Sequence, residues 1–561
     1  MKILPAKGAD LFVKTLEDLG VDVIFGIPGS HDALLYNALR KSSIRTVLTT
    51  NELHASFMAN GYFLGSGKAG VMLAIAGPGF TNAVTGLTEA FFDSAGLVCI
   101  ICKPESLPGN AYQLQKIDER DIVRTVTKGS FSITSPAEIE PVLQTSFLAA
   151  LSGEPGPVLL EVAPRVLSHK NDLTQSKAMP AEDRPPPPDE HDLSAVVDWI
   201  ASSPRIICYL GQGASGASEK VSGLVDLLQT PVLTTTSGRG IIPESHPLSL
   251  PSDLVEDVED VNAMLASCDL ILAMGCKFTH NGAKGFRLKL PEDKLVHVDA
   301  SKDVLGANYP ARIAIQADVP AFLDALWQQR EKFASRVSGW KSGEIRAWRQ
   351  SLIKNRHKKT FPEPQFEGLD PPTAGAFFAA LRGLLPEKAC LITDSGRHQM
   401  LARKYFEVSI PRGLIVPADF QSMGFGIPGG IGVKLADPER HVLVITGDGG
   451  FALCGMELAT AVREKVNMTV ILFNDSTMGL IRIHQLRKTG RDHAVTTGPI
   501  DYAKFCASLG IQYFKLDNNI HDVCNKSLLH KGVSLIEIVL KDTLETKKAA
   551  AKGVIRNILK I

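Results

Sequence analysis

Two aspartates stand where apolar runs end. Asp448 follows "VLVITG" within "VLVITGDGG" (442–450), and Asp475 follows "VILFN" within "VILFNDSTMG" (470–479), 27 residues further on. "HVLVITG" and "MTVILFN" read as strands, and "GMELATAVREKV" (455–466) between them reads as a helix. A βαβ unit of this kind runs its strands parallel, and adjacent strands then share one carboxyl edge. Open α/β sheets bind ligands at that edge. Two neighbouring carboxylates repel unless a cation or a proton lies between them. Hard oxygen ligands suit Mg²⁺, particularly when phosphate shares the ion. Gly449 and Gly450 let backbone N–H groups approach a diphosphate closely. Aspartate also ends strands as an ordinary turn residue, so spacing alone leaves both readings open.

Other segments carry reactive types. Glu52 lies in "TTNELHASFMANGYF" after the apolar "RTVLTT". By position it is a helix-opening glutamate near N-terminal backbone donors. The "AGPGF" turn (76–80) brings backbone N–H groups and Phe80 to the end of a strand, as a plain loop would. Gly211, Gly213 and Gly216 spell G-x-G-x-x-G in form, without a well-placed ribose carboxylate to support dinucleotide binding.

The elements that must position these residues form three α/β units. Residues 1–168 contain "VDVIFGIPG", "AGVMLAIAGPG", the helix-spaced "FTNAVTGLTEAFFD", "GLVCIIC", and "GPVLLEV" as the closing strand. A Pro-rich linker (169–192) precedes a central unit (193–345), and a second linker (346–373) precedes a third unit (374–541) and a tail (542–561). Continuous apolar strands alternating with helices predict an α/β chain of three doubly wound parallel-sheet domains.

Lys plus Arg equals Asp plus Glu at 60 each, which gives no support to nucleic-acid or anionic-membrane partners. No apolar run of about 18 residues predicts a membrane span. The nine cysteines are scattered, and Cys99 and Cys102 on a strand would face opposite ways. Unpaired thiols fit a reducing compartment, so the expected location is cytoplasmic.

"GDGGF", followed by the Asn474–Asp475 pair, closely resembles the thiamine-diphosphate motif of the acetolactate synthase superfamily. "ADLFVKTLEDLGVDVIFGIPG", "SGRGIIPESHPLSL" (237–250), "DSGRHQM" (394–400) and "QSMGFGIPGGIG" (421–432) resemble further segments of that family, in order along nearly the whole chain. The resemblance implies the thiamine-diphosphate-binding fold, with Mg²⁺ held by Asp448, Asp475 and the Thr477 carbonyl. Asp475 stands where many relatives have Asn, as in flavin-independent acetolactate synthases, and adds a negative charge near the ion.

By the same resemblance, Glu52 serves the aminopyrimidine N1′ and so activates the cofactor at thiazolium C2. Pro28 and Gly29 belong to the opening turn, and Gly396, Arg397 and His398 approach the diphosphate. Gln421 offers its carbonyl to the aminopyrimidine, and Met423 supports the cofactor's bend. Gly449, Gly450, Met478 and Gly479 complete the implied cofactor set. Gln115, 13 residues before Lys128, matches the spacing of the family's active-site glutamine, and Phe80 flanks the substrate. Asn51 departs from the His that precedes the glutamate in many carboligases, and no His-His pair of the pyruvate decarboxylases occurs in 102–118.

The implied reaction joins two pyruvates into 2-acetolactate with loss of CO₂. The alternatives are a lyase acting on a 2-hydroxyacyl thioester or hydroxyketone, another 2-oxo-acid decarboxylase, a flavin- or nucleotide-binding module, and an oligomeric scaffold. Small 2-oxo acids are the expected substrates. A homodimer is the expected minimum and a homotetramer the expected assembly. The central unit leaves room for FAD, which is expected to be dispensable.

Overall fold

The computed structural model describes residues 6–104, 108–171, 187–253, 258–357, 363–516 and 519–541. The 542–561 tail and most of the Pro-rich linker (172–186) lie outside the described residues.

Apart from a short antiparallel pair, Ala6–Lys7 with Lys170–Asn171, three larger sheets carry the described residues, and all three share one winding. The first sheet has six strands in the order Arg45–Leu48, Val23–Gly26, Gly70–Ile75, Leu97–Cys102, Pro157–Val162, Gly129–Ile133, all parallel. The second has five parallel strands in the order Val232–Thr234, Ile206–Leu210, Leu270–Met274, Leu295–Asp299, Ile313–Gln316. The third runs Gln365–Phe366, Val533–Lys541, Met468–Asn474, Val442–Gly447, Cys390–Thr393, Leu414–Ile415, with Gln512–Lys515 also on Val533–Lys541. Only its Gln365–Phe366 strand is antiparallel.

In each sheet one strand leads outward to a neighbour, and the chain then returns to that strand's other side. The reversal opens a crevice between Val23–Gly26 and Gly70–Ile75, between Ile206–Leu210 and Leu270–Met274, and between Cys390–Thr393 and Val442–Gly447. Crevices at such switch points are where α/β sheets hold ligands.

The Leu97–Cys102 strand is buried along its whole length. Its period-2 alternation sends Cys99 into one core and Cys102 into another, as a two-faced parallel strand requires. "GPVLLEV" does not close its sheet: Gly129–Ile133 takes the edge beyond it. That edge strand, "GSFSI", is only half-buried and lacks the apolar run of its neighbours. Ser342–Arg356 is helical, so the start of the segment read as a linker is ordered. The helix between the two aspartate strands begins at Asp448 itself, breaks at the 3₁₀ turn Gly455–Glu457, and resumes over Leu458–Arg463. Gly449 and Gly450 mask that early start in the sequence, because glycine disfavours helix interiors.

The first and third units share a core through two helices, Glu52–Ser66 and Gly426–Ala436. Glycines let their backbones touch. A Cβ on Gly61 would come within 2.1 Å of the Gly429 carbonyl oxygen, and one on Gly432 within 2.0 Å of the Met58 oxygen. Phe57 and Phe425 meet edge-to-face at 5.6 Å beside that crossing. Among the described residues, no helix is long and apolar enough to cross a membrane.

Candidate active site

The strand register brings the aspartates together. Gly447 pairs with Phe473 across parallel neighbours, so Asp448 and Asp475 emerge at the same edge. They line a cleft of about 110 Å³ together with Arg397, His398, Met423 and Met478. Burial lifts the Asp448 carboxyl to about 6, with the neighbouring Asp475 charge as the second cause. A bound divalent cation would relieve both effects.

Local hydrogen bonds hold this edge. Thr497 Oγ1 donates to Asp448 Oδ2 at 3.0 Å, and Thr477 N and Oγ1 donate to Asp475 Oδ1 at 3.1 and 3.0 Å. Met478 N donates to the Val495 carbonyl at 2.7 Å, and Thr497 N to the Ser476 carbonyl at 3.0 Å. The 476–478 turn is thereby pinned to 495–497. Ser476 adopts a left-handed φ of 54° to make the bend.

The cleft fits a metal-bound diphosphate. A Cβ on Gly449 would meet Met478 Sδ at 2.5 Å, and one on Gly479 would meet Asp475 Oδ2 at 2.4 Å, so backbone alone can line these positions. His398 Nε2 is buried without a hydrogen-bond partner, and burial lowers the ring's pKa to about 4, leaving it neutral. Arg397 Nη1 lies 3.6 Å from Asp475 Oδ2 and supplies positive charge at the rim. Asp394 accepts from Gly424 N at 2.8 Å and so anchors the segment that carries Met423. Gln421 does not line this cleft; it has a φ of 61° and donates from Nε2 to the Ala418 carbonyl at 3.2 Å.

Glu52 belongs to a second constellation. Asn51 Oδ1 accepts from Leu53 N at 2.8 Å and caps the helix, which seats Glu52 in its first turn, 8% exposed. Asn82 Nδ2 donates to Glu52 Oε2 at 3.0 Å. Gly79 packs on Glu52, since an added Cβ would lie 3.1 Å from Oε1, and Gly29 packs on Ile75 at the neighbouring strand end. Gly77 (φ 71°) lies against Gln115, whose Oε1 is buried and unpartnered. Gly77 and Gly79 of the "AGPGF" turn thus lie against Gln115 and Glu52 respectively. Phe80 is fully buried in the core shared with the third unit.

Among the described residues, none of the first unit lines the Asp448 cleft. Glu52 and the Asp448 cleft thus stand as two separate constellations among the described residues. Asn82 and Thr497 carry no mark in the sequence, and Asp394 enters only as the first residue of "DSGRHQM"; Asn82 is the fifth residue of the helix Pro78–Phe92.

The central crevice opens into a cavity of about 520 Å³ whose walls include Gly211, Thr236, Gly275, Lys277 and Asp299. A Cβ on Gly211 would lie 2.0 Å from the Gly275 oxygen, so these turns interlock. Among the described residues, the cluster Asp189, His191 and Asp192 could also present three metal ligands. It lies at the surface start of the helix Glu190–Ser202, where Asp189 caps backbone N–H groups, and not at the Asp448 edge.

Family models for thiamine pyrophosphate enzymes match in three places: the N-terminal TPP binding domain at 6–122, the central domain at 193–326 and the C-terminal TPP binding domain at 394–538. The chain is 30% identical to the probable acetolactate synthase large subunit of Methanocaldococcus jannaschii, over 99% of this chain and 95% of that one. It is also 30% identical to acetolactate synthase isozyme 1 large subunit of Escherichia coli, over 95% of each. Identity to acetolactate synthase 3, chloroplastic, of Brassica napus is 31%, over 88% of this chain and 76% of that one. With the fold and these matches together, the chain belongs to the thiamine-diphosphate-dependent, acetolactate-synthase-like superfamily, as a protein of the large, catalytic subunit type.

Proposed function

We propose that this chain, with Mg²⁺ and thiamine diphosphate, converts two molecules of pyruvate to 2-acetolactate and CO₂. Family membership supports the coarser activity, decarboxylation of a 2-oxo acid with carboligation. The observation that carries the reading is the Asp448–Asp475 pair, set by strand register in one partly buried cleft beside a neutral histidine.

In this reading Asp448, Asp475 and the Thr477 carbonyl hold the cation. Gly449 and Gly450 face the diphosphate with backbone, and Gly396, Arg397 and His398 add donors. Met423 and Met478 shape the apolar wall, and Gln421 turns its carbonyl to the aminopyrimidine. When bound, thiamine diphosphate supplies the nucleophilic carbon and the electron sink. Glu52 holds and moves the proton at N1′, and Asn82 orients its carboxyl group. Pro28 and Gly29 border the pyrimidine, while Gln115 and the turn ending at Phe80 flank the substrate. The separation of the two half-sites supports a homodimer in which each cleft is completed by the partner; a tetramer would pair two such dimers.

Two pyruvates lose one CO₂ with no net oxidation, so the chemistry needs no flavin. The central cavity has space for a nucleotide, and we assign it no part in the reaction. The nine cysteines are buried and unpaired, which supports a reducing, cytoplasmic setting.

The test is a donor–acceptor screen of purified protein with thiamine diphosphate and Mg²⁺, read by mass spectrometry. A dominant acetolactate product supports the assignment. Inertness toward pyruvate with rapid cleavage of a hydroxyacyl thioester moves it to a lyase.

A further inference from the structure

The strand and turn that deliver Glu52 are gripped by the third unit of the same chain. Glu457, fully buried in the 3₁₀ turn after the Asp448 helix, sits at the centre of that grip. Its Oε2 lies 2.6 Å from His54 Nδ1 and accepts from Thr50 N at 3.2 Å and from Thr50 Oγ1. Thr50 and His54 stand two residues before and two after Glu52. Burial would raise the Glu457 carboxyl, yet the His54 and Thr50 hydrogen bonds hold it below its ordinary value, so it is anionic. Further out, the Leu48 carbonyl accepts from Thr460 Oγ1 at 3.3 Å and from Arg463, and Arg45 pairs with Glu464 at 2.9 Å.

We propose that Glu457 is a positioning residue for Glu52: its carboxylate clamps Thr50 and His54 and thereby sets where the first turn of the Glu52 helix points. The clamp acts from within one chain, whereas among the described residues the cleft at Asp448 is lined by none of that chain's first unit. Glu457 thus fixes the angle at which one half-site is offered relative to the other. The proposal rests on the reading of Glu52 as the activating acid.

Two variants separate positioning from general stability. Glu457→Gln keeps the shape but removes the charge that takes three donors. Glu464→Gln weakens the neighbouring Arg45 pair and leaves Thr50 and His54 untouched. In cofactor-free protein, amide hydrogen exchange over residues 50–56 accelerates in Glu457→Gln and not in Glu464→Gln, with residues 468–474 unchanged in both. In the loaded enzyme, proton exchange at thiazolium C2 slows about 10- to 100-fold in Glu457→Gln, as for a misplaced catalytic group, while cofactor affinity holds. Wild-type C2 exchange in Glu457→Gln, or equal losses in both variants, overturns the proposal. Failure of the underlying reading shows separately: Glu52→Gln then leaves C2 exchange at the wild-type rate.

Discussion

Gly447 and Phe473 face each other across two parallel strands, and that single register decides where Asp448 and Asp475 meet. One residue beyond Gly447 and two beyond Phe473, both carboxylates reach the carboxyl edge of the sheet, Asp448 beside the crevice where the winding reverses and Asp475 on the next strand. Arg397 Nη1 stands 3.6 Å from Asp475 Oδ2, and burial with the Asp475 charge raises the Asp448 carboxyl to about 6, so a divalent cation held at this edge would favour both carboxylates in their charged form.

Asp448→Asn exchanges an anionic oxygen ligand for a neutral amide oxygen and leaves the fold's shape. Cofactor affinity in excess Mg²⁺ falls at least about 100-fold, more than for loss of an outer-shell contact. Isothermal calorimetry reads this directly. Unchanged affinity would remove Asp448 from the ion site.

Glu52→Gln keeps the size and the Asn82 contact but cannot carry the proton. Deuterium exchange at thiazolium C2 slows about 10²- to 10⁴-fold, the usual range for a general acid or base. Affinity for the cofactor changes by much less. NMR of quenched samples measures the exchange, and a wild-type rate would contradict the role.

Much of this edge was legible in the sequence, because apolar runs end at charged residues and the winding rule gathers strand ends. Asp448, Asp475 and Glu52 each carry such a local mark. Glu457 does not: its bond to Thr50 spans 407 residues, and nothing near either residue announces it. The early helix start at Asp448 was hidden by two glycines that read as a turn. The strand Gly129–Ile133 was missed because an exposed edge carries no apolar run.

The central unit has its own pH signature. Burial raises the Asp299 carboxyl to about 6, against about 3.9 for an unfolded chain. The folded protein therefore holds a proton that the unfolded chain releases between about pH 4 and 6. Stability falls as pH rises through that window, by at most on the order of 3 kcal/mol. Asp299→Asn abolishes this titration, so the variant gains on wild type between pH 4.5 and 7.5. Urea unfolding of cofactor-free protein at both pH values gives the comparison, and an equal difference at the two would refute the assignment.

The most direct measurement of the central claim, that Glu52 and the Asp448 edge serve one site from two copies, is complementation. Glu52→Gln and Asp448→Asn are each inactive alone. Co-expressed in equal amounts, they form mixed dimers with one intact and one doubly altered site. Statistical pairing predicts recovery of about one quarter of wild-type acetolactate formation. No recovery, with mixed dimers verified by mass, would place both residues in the same chain's site and contradict the account.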